Sequence, residues 1–272
     1  MAGSSSRVIT SNGVTYNFPI TNSSTGTVQL FDNLTLASTR TFIFNSGTLD
    51  LNGKVLSTGL FSSNNSTTRT IAFGSGNITC TGSGAVWATD TVIGLTVTGT
   101  PIVNISNNSA TATTVTPGPL SEANSISFNF TVGTYSLTFL TTAGYTAKNV
   151  DFTGFAGTWA ARTVASTVYG SLTLSTGMTF AASSGILTLG ATSGTQVVTT
   201  NGKTFDEPLT INGVGGTVQL ADALTMGASR ALTLTNGTFD GNSKTISGAS
   251  SFTPGPYKIR LPFRKPSYQQ RA

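Results

Sequence analysis

Gly26-Thr-Val-Gln-Leu30 recurs as Gly216-Thr-Val-Gln-Leu220, and this repetition points to the fold. The constant offset of 190 gives 14 identities in 29 positions, without a gap, between residues 26–54 and 216–244. The later identities include Asp32/Asp222, Leu34/Leu224, Arg40/Arg230, Gly47/Gly237, Asp50/Asp240, Asn52/Asn242 and Lys54/Lys244. One unit of about fifty residues has therefore been used twice.

Short alternating segments surround these copies. Residues 27–30, 40–44 and 171–174 place Leu, Ile, Val or Phe on one side and mostly Thr or Ser on the other. Period-2 alternation between Gly, Asn and Ser turns is typical of strands, so we expect an all-β protein. Such short strands cannot bury their apolar side alone. The repeat therefore predicts a β-solenoid, a β-helix-like stack of short strands with an internal duplication, and a β-sandwich or jelly roll is the alternative.

The composition excludes several kinds of chemistry. Only 8% of the 272 residues are charged, whereas the sequence holds 51 Thr, 32 Ser and 31 Gly. It contains no His, which rules out a Ser-His-Asp triad, a Cys-His pair and any His-ligated metal. The single Cys80 cannot form an intrachain disulfide or a multi-cysteine zinc site.

Proline and charge divide the chain into segments. Thr116-Pro-Gly-Pro119 and Thr253-Pro-Gly-Pro256 are both interpreted as places where strands stop, since Pro cannot donate to a sheet ladder. We therefore predict an N-terminal β domain over 1–115 with the first repeat copy, a connection at 116–125, a C-terminal β domain over 126–252 with the second copy, and a tail over 253–272.

The nine carboxylates show no catalytic grouping in the sequence. Asp206-Glu207 is the one adjacent acidic pair, and we expect it to be a solvated loop pair before Pro208. We interpret the recurrent Asp and Arg residues as strand-end or turn residues, although two equivalent ligand sites are the alternative. The sequence therefore predicts no enzyme, no cofactor and no metal site.

Two Asp-x-Asn stretches and two tryptophans are further candidates for ligand contacts. Asp50-Leu-Asn52 and Asp240-Gly-Asn242 begin like calcium loops but lack the later acidic ligands, so Asx turns explain them better. Trp87 and Trp159 are expected in the core or at a sheet edge, with stacking on sugar rings as the alternative.

The tail carries the entire net charge of +5, because the rest of the chain holds nine basic and nine acidic groups. Its prolines stiffen the backbone while aromatic residues alternate with cations, which favours a docking arm over a solvated flexible end. Nucleic acid is an unfavoured partner, since the body has no basic face. The predicted partner-binding residues are Lys258, Arg260, Phe263, Arg264, Lys265, Tyr268 and Arg271.

No targeting or spanning segment is predicted. Residues 1–9 lack the basic stretch and apolar run of a signal peptide, so we expect no classical secretion. The apolar runs are only a few residues long, far below the ~18 that indicate a spanning helix, so we expect no membrane insertion.

The Thr/Ser/Gly/Asn-rich strand repeats at residues 44–53, 67–79 and 234–240 resemble the β-strand-repeat proteins of tailed bacteriophages. The resemblance covers residues 10–252, is compositional and carries no catalytic residue. It implies a non-enzymatic virion structural protein, assembled in the host cytoplasm and exposed as a head decoration (cement) or fibre protein or a tail adhesin. The implied partners are capsid or tail subunits, and members of the group often trimerise, so a homo-oligomer is expected. A bacterial surface adhesin passenger and a glycan-binding or glycan-degrading tailspike are the alternatives.

Overall fold

The computed structural model describes residues 1–141, 143–254 and 259–260 and is all-β. Its strands pair in parallel, one coil of chain on the next, and form a β-solenoid of about 11 turns. Within the described ranges the one helical element is a single 3-10 turn at Glu122–Asn124. The predicted solenoid is therefore confirmed, and the parallel pairing excludes the sandwich and jelly-roll alternatives, whose strands are antiparallel.

Each coil passes through three strand positions, which we call faces I, II and III in chain order. On face III, Leu34 pairs with Leu56 and Leu56 pairs with Ile78, so a regular coil takes 22 residues. At most corners a turn separates two strands of two to six residues, whereas two longer strands near the carboxyl-terminal end continue through a corner from face II to face III.

Face I begins each coil, and its last three strands form a separate three-stranded sheet. The strands of face I are β1 (Ala2–Gly3), β4 (Ile20–Ser24), β7 (Thr41–Phe44), β10 (Leu60–Ser62), β13 (Gly84–Thr89), β16 (Thr113–Pro117), β18 (Ser136–Phe139), β21 (Thr158–Trp159), β24 (Thr179–Phe180), β27 (Thr204–Phe205), β29 (Leu224–Met226) and β31 (Ile246–Ser247).

Face II is interrupted once, where the 3-10 turn stands in place of a strand between β14 (Leu95–Thr98) and β19 (Thr146–Ala147). Its strands are β2 (Arg7–Ile9), β5 (Thr27–Leu30), β8 (Gly47–Asp50), β11 (Arg69–Ala72), β14 (Leu95–Thr98), β19 (Thr146–Ala147), β22 (Ser166–Val168), β25 (Leu187–Leu189), β32 (Ser251–Pro254) and the first halves of β28 (Leu209–Leu220) and β30 (Ala231–Asp240).

Face III runs through the described part of the solenoid. It contains β3 (Thr15–Tyr16), β6 (Leu34–Leu36), β9 (Val55–Thr58), β12 (Asn77–Cys80), β15 (Ile102–Ile105), β17 (Ser127–Phe130), β20 (Val150–Asp151), β23 (Leu172–Thr173), β26 (Thr195–Thr199), β33 (Ile259–Arg260) and the second halves of β28 and β30.

The core is a stack of inward side chains, one coil above another. Because alternate residues of a strand point inward, each buried residue packs on its paired residue in the next coil. Phe61 stacks on Trp87 with ring centroids 4.7 Å apart, and Phe130 stacks on Phe152 at 4.9 Å. All four rings are fully buried, so aromatic stacking along the axis supplies much of the core.

The outward positions form ladders of uncharged side chains. On face II, paired threonines follow one another from coil to coil, and on face III Asn104 Nδ2 donates to Asn77 Oδ1 at 3.2 Å. Since paired residues in a parallel stack lie about 4.8 Å apart, like charges there would repel, whereas hydroxyls and amides bond to each other. The threonine ladder is Thr167, Thr188, Thr210, Thr233 and Thr253.

The two repeat copies have the same local structure but lie on different faces. The second-copy strand β29 spans the residues equivalent to β6, and β30 spans those equivalent to β7 and β8. However, Leu30 lies on face II, whereas its equivalent Leu220 lies on face III. Eight coil steps on face III lead from Leu34 to Leu220 through Leu56, Ile78, Val103, Phe128, Val150, Leu172 and Val198. The 190-residue offset therefore corresponds to eight complete coils plus the step from one face to the next.

A glycine recurs in the two copies for a steric reason. Gly47 has φ +75° and Gly237 has φ +87°, values that side chains with a Cβ rarely adopt. A Cβ at these positions would also overlap the carbonyl oxygens of Ser24 and Gly213, each in the preceding coil. The close approach of neighbouring coils therefore requires glycine at both of these corners.

The predicted division at 116–125 lies inside the stack. β16 on one side pairs with β18 on the other, and β15 pairs with β17, so the same sheets contain both halves. Separate domains over 1–115 and 126–252 stay a prediction. The interpretation of Thr116-Pro-Gly-Pro119 as a strand stop agrees with β16 ending at Pro117, whereas residues 255 and 256 of the second motif lie outside the described residues.

Among the residues that the structure describes, no helix is both long and apolar enough to span a membrane.

Truncating a ring in the axial stack should cost much of the stability. Phe152→Ala removes a fully buried ring that contacts Phe130, Phe155 and Trp159. We expect the free energy of unfolding in urea to fall by about 3–5 kcal/mol, the range for buried Phe to Ala. The control is Phe31→Ala, whose ring is 65% exposed and should change stability by about 0.5 kcal/mol or less. Equal effects of the two substitutions would contradict the stacked core.

Candidate functional site

The predicted partner-binding tail lies almost wholly beyond the described residues. Arg260 is described as backbone in β33, where it pairs with Asp240 of the coil before. The chain therefore passes from the last described coil into the basic segment at the carboxyl-terminal end of the solenoid. The other predicted residues, Lys258, Phe263, Arg264, Lys265, Tyr268 and Arg271, lie outside the described residues.

The recurrent aspartates Asp32 and Asp222 hold corner turns. Asp32 accepts hydrogen bonds from the backbone N–H groups of Ser11 and Asn12 at 2.8 and 2.7 Å. The Ser11 bond is the main reason that the pKa of Asp32 lies below its usual value. Asp222 accepts in the same way from Thr200 and Asn201 at 2.8 and 2.5 Å. Each aspartate ties its coil to the preceding one, as the turn interpretation predicts.

The calcium-like stretches are Asx turns, as expected. Asp50 Oδ1 accepts from the backbone N–H of Asn52 at 2.8 Å, and its Oδ2 accepts from Gln29 Nε2 at 2.7 Å. The second copy repeats both bonds from Asn242 and Gln219 to Asp240 at 2.9 and 3.0 Å. The carboxylate thus links two coils. Among the described residues, no three Cys, Asp or Glu side chains group as a metal site would require.

The recurrent arginines bind residues of the preceding coil. Arg40 Nε donates to Asn17 Oδ1 at 3.0 Å. Its equivalent, Arg230, donates from Nε to Asp206 Oδ1 at 2.6 Å and forms a partly exposed ion pair. These are structural links between coils, in agreement with the strand-end interpretation.

The expectation that Asp206-Glu207 is a solvated pair is wrong for Glu207, which is 1% exposed. Arg162 donates from Nη2 to Glu207 Oε2 at 2.5 Å and from Nε to Oε1 at 3.3 Å. The Arg162 side chain is itself buried, and its Nη1 donates to Ala160 O at 3.0 Å. Adjacent residues take opposite environments because the chain turns from face I towards face II at this point.

Aromatic rings surround this ion pair. The Arg162 guanidinium carbon lies 3.7 Å from the centroid of the Trp159 ring and 4.9 Å from that of Phe180. Burial raises the pKa of Glu207, and the Arg162 charge offsets part of that rise. Burial also raises the pKa of the nearby Tyr145. A cavity of about 100 Å³, lined by Tyr145 and Arg162, lies beside the pair.

A second buried cation, Arg69, has no carboxylate partner in the described part of the chain and bonds instead to five acceptors. Its Nε donates to Ser63 Oγ at 2.7 Å, and its two terminal nitrogens donate to carbonyl oxygens. These carbonyls belong to Thr67, Ile93, Ser63 and Thr91, at 3.0, 2.9, 2.7 and 2.6 Å. All five guanidinium donors are therefore satisfied, and the bonds join two corner loops.

Sequence reasoning missed both buried arginines, although one left a signal. Arg69 alternates in phase with Ile71 and Phe73, which both point inward, so period 2 places its side chain in the core. Arg162 follows Trp159 in a segment without clear alternation, so the sequence pattern does not predict that its side chain is buried. Trp87 and Trp159 are fully buried, which confirms the core interpretation and excludes both from surface stacking on sugars.

Three of the concave regions formed by the described residues have volumes of about 300 Å³ or more. One opens at the amino-terminal end of the stack, with a volume of about 310 Å³ between Ile9, Tyr16 and Phe18. Another opens near the carboxyl-terminal end, about 340 Å³ between Leu232, Ile246 and Phe252. The largest, about 620 Å³, lies beside the 3-10 turn at Glu122–Asn124. The end cavities are apolar, as expected where coil interiors meet no further described coil, and the third is also mostly apolar, with polar side chains such as Ser127 and Asn149 in its lining.

Comparisons with models of protein families, with curated proteins and with solved structures found no match.

Removing the Arg162 guanidinium should leave the Glu207 carboxylate buried without its partner. We expect Arg162→Met to lower the free energy of unfolding at pH 7 by about 3–5 kcal/mol. Without Arg162, the pKa of Glu207 should rise further, so the folded variant binds a proton that the unfolded chain has released. The loss should therefore shrink as the pH falls from 7 towards the usual carboxyl pKa and level off below it, as urea unfolding at several pH values would record.

The matched control is Arg230→Met, which breaks a partly exposed pair with Asp206. Pairs of that kind contribute about 0–1 kcal/mol, so the control should show a small loss. Similar losses for the two variants, independent of pH, would refute the distinction between the two pairs.

Proposed function

We propose that this protein is a non-enzymatic structural component of a bacteriophage particle. It is exposed on the particle as a decoration, cement or fibre protein, assembles in the host cytoplasm with capsid or tail subunits as a homo-oligomer, and is anchored through its basic carboxyl-terminal tail. Two features support this function. Residues 10–252 resemble phage strand-repeat proteins, and the charged side chains of the solenoid link its coils.

The observation that carries the proposal is the use of charged groups as links between coils. Asp32, Asp50, Asp222 and Asp240 each hold a turn or a neighbouring side chain of another coil. Catalytic carboxylates instead converge on a cleft, where their environments separate their pKa values. These aspartates link neighbouring coils and so stiffen the stack, as a rigid rod requires.

The position of β33 supports an anchoring role. β33 belongs to the last described coil, at one end of the rod, and directly precedes residues 261–272 in the sequence. A rod attached by one end projects its other coils outward, which is the geometry of a decoration or fibre. In such an anchor, buried aromatic side chains would supply affinity, whereas the cations would orient the arm on an acidic partner.

The test is truncation after Arg260, which removes residues 261–272 and keeps β33. We expect the truncated chain to remain folded, with a strand-dominated circular dichroism spectrum, but no longer to co-sediment with particles of the phage that encodes it. Surface ion pairs contribute about 0–1 kcal/mol each, so raising the salt concentration should weaken docking of the full chain without abolishing it.

Two tail variants separate the contribution of the aromatic side chains from that of the cations. Phe263→Ala with Tyr268→Ala should reduce incorporation more than Arg264→Gln with Lys265→Gln, because aromatic groups would supply the affinity. Undiminished incorporation of the truncated chain would show that the tail is not the anchor. Absence of the full chain from purified particles would overturn the proposed function itself.

A further inference from the structure

The chain contains five Asn-Gly pairs, which begin at Asn12, Asn52, Asn201, Asn212 and Asn236. In such a pair the backbone nitrogen of Gly can attack the Cγ carbon of Asn, since Gly has no Cβ to hinder the approach. The product is a succinimide ring, which forms only when the Asn amide is free to swing over the following peptide. Whether a pair reacts in the folded chain therefore depends on what holds its amide.

Four of the five side-chain amides are bound in the folded chain. Two of them are tied to a carbonyl of the preceding coil, and the other two bond to each other. The bonds run from Asn52 Nδ2 to Leu30 O at 3.1 Å, from Asn201 Nδ2 to Leu174 O at 2.6 Å and from Asn236 Nδ2 to Asn212 Oδ1 at 2.6 Å. Ring closure at these four positions must first break a hydrogen bond, which costs free energy.

Asn12 is the exception. It is exposed, and its side-chain amide has no hydrogen-bond partner among the residues that the structure describes. Its backbone N–H donates to Asp32 Oδ2 at 2.7 Å, and the Gly13 N–H donates to Ser11 Oγ at 3.2 Å. Ring closure at Asn12 therefore breaks no bond of the amide, and the attacking nitrogen gives up only a long one.

The closest match to Asn12-Gly13 is Asn201-Gly202. The two asparagines have φ values of 51° and 49°, and each donates its backbone N–H to an aspartate of the next coil. A Cβ on either glycine would meet no atom within 4 Å, so the attacking nitrogen is equally accessible. The two turns thus share a backbone conformation, whereas only Asn201 has its amide bound to the preceding coil.

The strands beside Asn12 are also easier to open. β2 and β3 are terminal strands of their sheets and pair only with β5 and β6 of the next coil. The strand before Asn201, β26, pairs with β23 on one side and with β28 on the other. Local opening costs less free energy where fewer pairings must break, so the turn at Asn12 reaches a reactive geometry more often.

We propose that Asn12-Gly13 is the preferred site at which this protein deamidates through a succinimide. The Gly13 nitrogen forms a bond to Asn12 Cγ, the C–N bond of the side-chain amide breaks, and the proton of the attacking nitrogen leaves with it as ammonia. Water then opens the ring at either carbonyl, which leaves aspartate or isoaspartate at position 12. The reaction needs no oxidant, metal or second protein.

The product would act on the neighbouring coil. A carboxylate at position 12 would lie beside that of Asp32, whose oxygens accept from the Ser11 and Asn12 N–H groups. The like charges would repel each other, and isoaspartate adds a carbon to the backbone of the turn. Deamidation would therefore loosen the link between the first coil and the second.

The test follows the folded full chain during incubation at mildly alkaline pH. Peptide mapping by mass spectrometry records conversion at each pair, and an isoaspartyl methyltransferase labels the isoaspartate. We expect Asn12 to convert about tenfold faster than Asn52 or Asn201, since a hydrogen bond and further strand pairings hold the latter two. In concentrated urea, where these contacts are lost, the five pairs should convert at rates much closer to each other.

The matched variants are Asn12→Gln and Asn201→Gln, whose longer side chains would have to close a larger ring and so react slowly. Asn12→Gln should remove most of the early ammonia release by the folded chain, whereas Asn201→Gln should leave it unchanged. Equal rates at Asn12 and Asn201 in the unmodified folded chain would overturn the proposal. The same preference for Asn12 in urea, or conversion of Asn12 without isoaspartate, would also contradict it.

Discussion

Parallel pairing between successive coils is the constraint on which the rest of the structure depends. A single coil of about 22 residues has short strands and no partner for its apolar side, so it can bury that side only against the next coil. The inward side chains must then stack on residues of similar shape, as Phe61 does on Trp87 and Phe130 on Phe152. The corners must also let coils approach closely, which explains glycine at positions 47 and 237.

The same constraint governs polar and charged residues. Outward positions repeat every coil at a spacing of about 4.8 Å, so Thr and Asn form mutual ladders where charges would repel. Several of the charged groups that remain are bound to backbone or to a partner. Arg69 satisfies all five donors with loop acceptors, whereas Arg162 pairs with Glu207 beneath the Trp159 ring. The concave region beside Glu122 arises at the one described place where face II omits a strand.

The two copies of the internal repeat share their local structure but not their position on the solenoid. Strand positions, Asx turns and coil-linking aspartates recur at the 190-residue offset, since these depend on residues within one or two coils. The copies nevertheless lie on different faces, because 190 residues are eight coils plus one face. A triangular coil tolerates such a rotation, since each face needs the same alternation of apolar and small polar residues.

The sequence by itself determined the local structure: period-2 runs gave the strands, the repeat predicted the solenoid, and the Asp50 and Asp240 stretches predicted Asx turns. The burial of Arg69 was missed, although its phase with Ile71 carried a local signal for it. Only the tertiary structure decided that Glu207 is buried against Arg162 while Asp206 is partly exposed, since the partners are 45 residues apart in sequence. The concave region between Thr100, Glu122 and Ser193 likewise has no local signal. Alternation is a property of neighbouring residues, whereas these contacts depend on how many residues each coil takes before it returns to the same face.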